Sequence, residues 1–214
     1  VKPKFYFISG SGNKKYFSKK NLSKISKSLK KEQKKYGISL CGGDTTFSNK
    51  LSFTIISLGY SKSIVYRNKS RLNDDIYVTG NLGDSFVGLQ IIKGKIKVNR
   101  KISKYFIKKY YEPDLQLKFI NSLLKLANTS IDISDGLIDD LKKMINRQSV
   151  SFHIFEKNIP ISNSLSQLIK IKKLRKIDIT SRGDDYQILF TANSNKSRII
   201  KRISNNTGIK ITKI

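Results

Sequence analysis

The sequence predicts a mixed fold of the α+β or α/β class, because stretches with strand character alternate with stretches of helical periodicity. The strand-like stretches are short runs of apolar and β-branched residues bounded by turn-forming residues. In the helical stretches, apolar residues recur every three or four positions. With 214 residues, 38% of them hydrophobic, the chain can build one large domain or two small ones.

The first third of the chain is predicted to form three strands and one long helix. The strands are expected over 4–8, 38–41 and 51–60. A turn is expected at Gly10–Gly12. The helix is expected over 19–36, because Ser18 is a suitable N-cap and Gly37 fits a C-terminal stop.

The rest of the chain is predicted to alternate strands and helices. A polar stretch at 67–75 comes first, and it is the candidate boundary between two domains, 1–70 and 71–214. The later strands are expected over 76–79, 130–133, 151–155, 186–192 and 209–214. The later helices are expected over 84–93, 101–111, 114–127, 136–146, 162–173 and 195–206.

The chain is strongly basic, with 43 Lys and Arg residues against 15 Asp and Glu and a formal net charge of +28. This balance keeps a nucleic-acid-binding protein open as an alternative. The 35 lysines and eight arginines are nevertheless spread along the whole chain, and specific recognition of bases and phosphates favours arginine. We therefore interpret most lysines as solvated surface residues and favour a chain without a nucleic-acid partner.

A single Cys and a single His exclude two classes of protein. Cys41 alone cannot form an internal disulfide, and one His with one Cys cannot build a His/Cys zinc site. No apolar run approaches the length of about 20 residues that a membrane span needs, and we expect a cytoplasmic protein. Cys41 is interpreted as a small buried residue, and His153 as a structural residue of the strand predicted over 151–155.

Seven of the 15 acidic residues lie in three short segments, which makes these segments the candidates for metal or phosphate chemistry. In the first segment, Asp44 follows Gly42 and Gly43. Glycines allow the backbone to approach a phosphate closely, and Mg²⁺ prefers carboxylate and phosphate oxygens. The alternative is a tight turn with a hydrogen bond to the Asp44 side chain.

The second acidic segment carries four carboxylates: those of Asp132, Asp135, Asp139 and Asp140. Asp132 is expected to end a strand and Asp135 to begin a helix. Asp135 and Asp139 would then be four residues apart on one helix face, where like charges repel. A divalent cation would relieve this repulsion, so we predict a metal site here. The alternative for Asp135 is a favourable charge at a helix N-terminus.

The third acidic segment is Gly183–Asp185, just before a predicted strand. It is either a turn with solvated acids or a polar loop at the mouth of a site. A further segment, Gly80–Ser85, follows a strand and opens a helix, so it could hold an anion. It lacks the full dinucleotide-binding pattern, and we favour a packing role for it.

These segments, in this order, resemble those of the thiamine-monophosphate kinases, a family in the superfamily of aminoimidazole-ribonucleotide synthetase. The matching segments are Ser39–Thr46, Tyr66–Arg67, Asp75–Ser85, Ile131–Leu137 and Gly183–Tyr186. The sequences GGDTT and ISDGL together are specific, since relatives in the superfamily carry different residues after the two glycines. The resemblance covers essentially the whole chain.

The resemblance implies ATP-dependent phosphorylation of thiamine monophosphate to thiamine diphosphate, with Mg²⁺ and direct in-line transfer. Carried over by motif, the implied site residues are Gly43, Asp44, Arg67 and Ser134 for ATP, Asp44, Asp132 and Asp135 for the metal, and Asp184 for the substrate. Asp184 stands where the family usually has Glu. No side chain is assigned as a nucleophile, because positioning and charge neutralisation carry phosphoryl transfer.

The resemblance also implies a two-domain fold. Residues 1–70 would belong to a ferredoxin-like N-terminal half, incomplete here, that binds ATP and pairs into a homodimer. Residues 71–214 would form a layered α/β C-terminal half that is truncated at its end. The chain is therefore expected to lack the family's N-terminal and extreme C-terminal segments. Another ATP-using synthetase of the superfamily and an inactive truncated paralogue stay open as alternatives.

Overall fold

A computed structural model describes residues 2–214, which form two compact units divided between Ile64 and Val65. We refer to residues 2–64 as the first unit and to residues 65–214 as the second unit. Each unit contains one β-sheet, with helices connecting its strands. The predicted class, α+β with two structural parts, is confirmed.

The first unit is a three-stranded sheet with one long helix. Its elements are β1 (Lys2–Gly12), α1 (Lys19–Tyr36), β2 (Ser39–Phe47) and β3 (Ser52–Tyr60). The strand order is β2-β1-β3, with β2 parallel and β3 antiparallel to β1. α1 begins and ends as predicted: the Asn21 amide donates to the Ser18 hydroxyl at 3.4 Å, and Gly37 adopts a left-handed φ of 63°.

Three sequence predictions for the first unit are wrong. Gly10–Gly12 is not a turn but the end of β1, since pairing with β2 and β3 continues through these residues. The segment Gly42–Thr46 is not a loop after a short strand but lies inside β2. The pairing shifts at this point because Leu40 faces Tyr6 while Gly42 faces Phe7, which leaves Cys41 as an extra residue. Cys41 is exposed, not buried.

The second unit is a four-stranded sheet with helices on both faces. Its strands are β4 (Asp74–Thr79), β5 (Thr129–Asp132), β6 (Ile188–Asn193) and β7 (Ile211–Lys213). Its helices are α2 (Asp84–Ile92), α3 (Arg100–Tyr111), α4 (Ile120–Leu126), α5 (Leu137–Ile145), α6 (Asn163–Lys172), α7 (Lys176–Thr180) and α8 (Ser197–Thr207). The strand order is β5-β6-β4-β7, and every neighbouring pair is antiparallel.

Alternation along the strands of the second unit supplies two apolar layers. Val78 and Leu189 face a cluster that includes Leu137, Leu141 and Met144 from the α5 side. On the opposite face, a second cluster unites Tyr77, Phe119, Leu126, Phe190, Ala192 and Ile200. A third cluster joins α2, α3, α6 and α7 through Val87, Phe106, Leu165, Leu168 and Ile179. These clusters fix the sheet edge on which the candidate site is built.

Three elements of the second unit differ from prediction. The segment 151–155 keeps its alternation, since Phe152 and Ile154 pack on the core while His153 is exposed, but it pairs with no strand of the described residues. The helix predicted over 114–127 is replaced by a 3₁₀ turn followed by α4. The segment before that turn is held by Gln187, whose side-chain amide donates to the Asp114 carbonyl at 3.3 Å. The helix α7 was not predicted.

Across residues 2–214, no helix combines the length and apolar character that crossing a membrane requires.

Candidate functional site

The loop between β5 and α5 is shaped by a buried carboxylate. Oδ2 of Asp140 accepts hydrogen bonds from the backbone amides of Ser134, Asp135 and Gly136 at 2.9, 2.8 and 3.1 Å. The Asp140 side chain is only 1% exposed. Three amide donors satisfy a buried charge that would otherwise be costly, so Asp140 fixes the path of the loop.

This arrangement corrects the prediction for the second acidic segment. α5 begins at Leu137, with Gly136 as its N-cap residue, so Asp135 precedes the helix and does not begin it. The predicted repulsion between Asp135 and Asp139 along one helix face therefore does not apply. Asp132 is the last residue of β5, as predicted. Both Asp132 and Asp135 are exposed.

The second and third acidic segments lie against each other. The amide of Asp184 donates to the Ser134 carbonyl at 3.0 Å, and the amide of Tyr186 donates to the Ile133 carbonyl at 2.8 Å. A side chain at Gly183 would overlap the same Ser134 carbonyl, so this approach requires glycine. Asp184 and Tyr186 both have left-handed backbone conformations, with φ of 73° and 51°. Such strain in residues other than glycine is found most often at functional sites.

The segment that carries Arg67 is tied to β5 and α5. The Thr129 hydroxyl donates to the Tyr66 carbonyl at 2.7 Å. The Asn68 amide donates to the Met144 carbonyl, and the Arg147 amide donates to Oδ1 of Asn68, both at 2.8 Å. These bonds hold Arg67 beside the end of the sheet that bears Asp132.

An open cavity of about 540 Å³ lies where these segments meet. Four predicted site residues line it: Arg67, Asp132, Ser134 and Asp135. Its volume falls within the range of about 300–1,000 Å³ that is typical of small-molecule sites. The structure thus brings together, within the second unit, four residues that are far apart in the sequence.

Lys143 also lines this cavity and was not predicted as a site residue. Its ammonium group forms an ion pair with Asp135 and a second one with Oδ1 of Asp140 at 3.1 Å. The hydrogen bond to Asp135, and to a lesser degree the one to Asp140, raises the pKa of Lys143. The sequence signal is the spacing of three residues between Asp140 and Lys143, which places both on one face of α5.

The donor set of the cavity fits a magnesium ion that is shared with a phosphorylated ligand. Among the described residues, no group of three or more His, Cys, Asp or Glu side chains could hold a metal ion. Mg²⁺ does not need such a group, because proteins usually bind it through one or two carboxylates, with phosphate oxygens and water completing the shell. Asp132 and Asp135 supply two carboxylates beside Arg67.

Gly43 and Asp44 lie in the first unit, where they line a separate open cavity of about 530 Å³ with Gly42 and Thr45. Asp44 is exposed in β2, and its Oδ1 accepts a hydrogen bond from the Thr45 amide at 2.7 Å. A side chain at Gly43 would overlap the Ile8 carbonyl. Glycine is therefore required at position 43 for the close pairing of β1 and β2, independently of any ligand.

Two buried carboxylates, those of Asp84 and Asp185, lie at the start of α2. Oδ2 of Asp185 accepts a hydrogen bond from the Gly83 amide at 2.7 Å, and its Oδ1 accepts one from the Ser85 amide at 3.4 Å. Burial raises the pKa of Asp185 to about 7, against the lowering effect of these amides. Asp185 thus takes two amides that could have bound an anion at Gly80–Ser85.

Asp84 lies beside Asp185 and is also buried. It accepts hydrogen bonds from the Tyr105 and Ser162 hydroxyl groups, both at 2.7 Å. Burial raises the pKa of Asp84, and burial together with the Asp84 carboxylate raises the pKa of Tyr105 to about 12. This network joins α2 to α3 and to the start of α6.

Fold and cavity together define an α+β protein with a carboxylate- and arginine-lined pocket suited to a phosphorylated ligand. No protein-family model matches the sequence. The thiamine-monophosphate kinase of Buchnera aphidicola from Schizaphis graminum is 38% identical over 173 residues, covering 79% of this chain and 53% of that protein. The enzyme of the same name of Buchnera aphidicola from Acyrthosiphon pisum is 36% identical over 187 residues, covering 85% of this chain and 57% of that protein.

A solved structure shows the same relationship at the level of the fold. AaThiL in complex with AMPPCP and TMP superposes with a TM-score of 0.86 at 26% identity, covering 99% of this chain and 66% of that one. The chain is thus a homologue of the thiamine-monophosphate kinases, which confirms the resemblance found in the sequence. It spans about half the length of the curated relatives that it matches.

Proposed function

We propose that the protein phosphorylates thiamine monophosphate with ATP to give thiamine diphosphate and ADP. The observation that carries this proposal is the meeting of Arg67, Asp132, Ser134 and Asp135 in one cavity of a chain homologous to enzymes of this activity. The related AaThiL, which holds AMPPCP and TMP, supports the same pair of substrates here.

The residues of the cavity divide into two roles. Arg67 binds phosphate oxygens of ATP, because its planar guanidinium group can donate two parallel hydrogen bonds. Ser134 contacts ATP from the loop that Asp140 fixes. Asp132 and Asp135 hold Mg²⁺, which offsets the negative charge that develops on phosphate oxygens. These residues position the phosphates for direct in-line transfer, without a covalent intermediate.

Gly43 and Asp44 of the first unit are proposed as further ATP contacts, and Asp44 also as a metal ligand. Asp184 is proposed to contact the thiamine moiety, whose thiazolium ring is a cation that a carboxylate complements. We assign ATP binding and dimerisation to the first unit, which lies within the predicted domain 1–70, and the α/β domain predicted over 71–214 to the second unit, which begins earlier, at Val65. A cytoplasmic location stays a prediction.

The proposal is tested by measuring thiamine diphosphate formation from Mg-ATP and thiamine monophosphate, with Asp135→Asn compared against Asp139→Asn. We expect Asp135→Asn to lower kcat by about 100-fold or more, as for the loss of a charge-stabilising group. Asp139 is exposed and does not line the cavity. Asp139→Asn should therefore leave kcat within about twofold of wild type, in line with an exposed ion pair.

Equal activities of the two variants, or no thiamine diphosphate from the wild type, would contradict the proposal. Calorimetric titration with ADP and Mg²⁺ then separates the alternatives. Nucleotide binding without thiamine diphosphate would favour another ATP-using synthetase. DNA binding that falls steeply with salt, without nucleotide binding, would favour a nucleic-acid-binding protein.

The proposed homodimer is supported by an apolar face of the first sheet. Phe5 and Phe7 of β1 pair with Leu58 and Ile56 of β3, so all four side chains share one face. Each is exposed. A contiguous apolar surface of this kind marks an interaction site, and a second copy of the chain is the partner that the family implies.

The dimer is tested by sedimentation velocity of Ile56→Lys. A lysine in the middle of the apolar face should shift the protein to the monomer. Ile171→Lys is the matched control, because Ile171 is an exposed isoleucine of α6 in the second unit. Equal sedimentation coefficients for wild type and Ile56→Lys would contradict the assignment of this apolar face to the dimer interface.

A further inference from the structure

Lys143 is the one basic residue other than Arg67 that lines the cavity of the second unit, as far as residues 2–214 show. We propose that Lys143 is a tethered counter-ion that competes with the divalent cation for the carboxylate of Asp135. The proposal rests on the proposed metal-binding role of Asp135. It makes Lys143 a positioning residue that sets how tightly the protein binds the metal.

The two carboxylates that Lys143 contacts are held in different ways. Asp140 is 1% exposed, and its Oδ2 is bound by three backbone amides, so only Oδ1 meets Lys143. The Asp135 side chain is 64% exposed, and its Oδ2 meets the ammonium group of Lys143. Lys143 can therefore leave Asp135 while it keeps its ion pair with Asp140, three residues before it on α5.

An ammonium group held at Oδ2 of Asp135 repels a divalent cation at the same carboxylate, because both are positive. Metal binding at Asp135 therefore either displaces Lys143 from Oδ2 or bears this repulsion, and both weaken metal binding. The Asp140 carboxylate keeps the displaced ammonium group in the cavity. Removal of the ammonium group should accordingly strengthen metal binding, whereas most losses of a contact in a binding site weaken it.

The test is calorimetric titration of the nucleotide-free chain with MgCl₂, with Lys143→Met compared against Lys142→Met. Both variants remove one positive charge from α5. Lys142 is 67% exposed, and its ion pair with the exposed Asp139 is 4.0 Å long. We expect Lys143→Met to lower the Kd for Mg²⁺ by about tenfold, the effect of removing one close competing ion pair. Lys142→Met should change it by no more than about twofold.

A Kd for Mg²⁺ of Lys143→Met that equals or exceeds that of Lys142→Met would overturn the proposal. The absence of any measurable Mg²⁺ binding, in wild type and variants alike, would overturn it as well. Lys143→Arg keeps the charge and should bind Mg²⁺ like wild type. Lys143→Gln serves if Lys143→Met does not fold, as judged by thermal melting in EDTA. In EDTA, Lys143→Met and Lys143→Gln should melt below wild type, and added Mg²⁺ should raise their Tm by more than it raises that of wild type.

The titration contains neither ATP nor thiamine monophosphate, so the two proposals fail separately. A chain that shows the expected order of Mg²⁺ affinities but forms no thiamine diphosphate would overturn only the proposed activity. A chain that forms thiamine diphosphate but whose Mg²⁺ affinity is indifferent to Lys143 would overturn only the competition.

Discussion

The two units of the chain use apolar residues in opposite ways. The second unit gathers its buried apolar side chains into three clusters, on both faces of a sheet and between helices. In the described part of the first unit, Tyr6 is the one buried apolar side chain, and no residue of α1 is buried. The first sheet instead exposes apolar residues such as Phe7 and Ile56. A strongly strand-forming sequence thus indicates a sheet, but not whether that sheet is covered.

The same contrast extends to the predicted site residues. In the second unit, the loop with Ser134 and Asp135 is held by the buried Asp140, and the loop with Asp184 is bonded to it through the backbone. In the first unit, Asp44 lies on an exposed strand and bonds to its own neighbour Thr45. The cavity of the second unit is therefore preorganised by its own core, whereas Asp44 depends on the first sheet alone.

The largest effect is expected from Phe190→Ala, which tests whether the core of the second unit carries its stability. The Phe190 ring is fully buried and lies 5.3 Å from the rings of both Tyr77 and Phe119. Its removal should lower the free energy of unfolding by about 3–5 kcal/mol. Urea unfolding measures it, with Phe155→Ala, at an exposed phenylalanine of the same unit, as the control. A loss of less than 1 kcal/mol, below that range, would show that Phe190 is not a core residue.

The next largest effect is a pH dependence of the free energy of unfolding. It is expected from the second unit alone, because among the described residues only that unit contains buried carboxylates. Burial raises the pKa of Asp185 from 3.8 to about 7. The folded chain then keeps this proton up to about pH 7, whereas the unfolded chain releases it near pH 4. The unfolded chain binds fewer protons in this window, so the contribution of Asp185 to stability falls as pH rises from 4 to 7 and stays low above it.

Asp185→Asn cannot titrate and should lack this loss. Its free energy of unfolding relative to wild type should rise by up to about 4 kcal/mol between pH 4 and pH 7. Urea unfolding at both ends of the window measures the change. Asp178→Asn makes the same substitution at an exposed position of α7 and should follow the wild-type curve. Parallel curves for Asp185→Asn and wild type would show that folding does not raise the pKa of Asp185.

A smaller effect is expected from Asp140→Ala, which removes the acceptor of three loop amides. These three amides, that of Gly136 buried and the other two partly buried, would lose their partner, which should lower the free energy of unfolding by about 2–3 kcal/mol. Asp139→Ala is the matched control at the neighbouring residue, whose side chain is exposed, and it should cost no more than about 0.5 kcal/mol. Equal losses in urea unfolding would contradict the assignment of Asp140 as the residue that shapes the loop.

Local signals explain what could be predicted from the sequence. The bounds of α1 follow from the caps Ser18 and Gly37, which act within a few residues. The strand over 151–155 was predicted from alternation, but a strand also needs a partner, and pairing is not a local property. The short helix α7 is supported from a distance, since Oε1 of Glu156 accepts a hydrogen bond from the Ile177 amide at 3.2 Å.

The candidate site divides in the same way. Asp132, Asp135 and Asp184 were found because acids are scarce in this basic chain and cluster in few segments. The role of Asp140 was missed, because it depends on the path of a loop that brings three amides to one oxygen. Lys143 was missed because it is one of 35 lysines: its spacing from Asp140 indicates a shared helix face, but its contact with Asp135 depends on the path of the loop before α5.

The smallest effect, that of Ile56→Ala, gives the most direct test of the contrast between the units. The Ile56 side chain is as apolar as any in the core, but it is 58% exposed on the first sheet. Since most of its surface stays in contact with water in an isolated chain, truncation to alanine should cost less than about 1 kcal/mol in dilute solution. The cost should grow with protein concentration if a second copy covers this face, because association stabilises the folded state by mass action. Urea unfolding at two concentrations a hundredfold apart distinguishes these cases. A cost above 2 kcal/mol at both concentrations, about twice that limit, would mean that the first sheet has a core of its own.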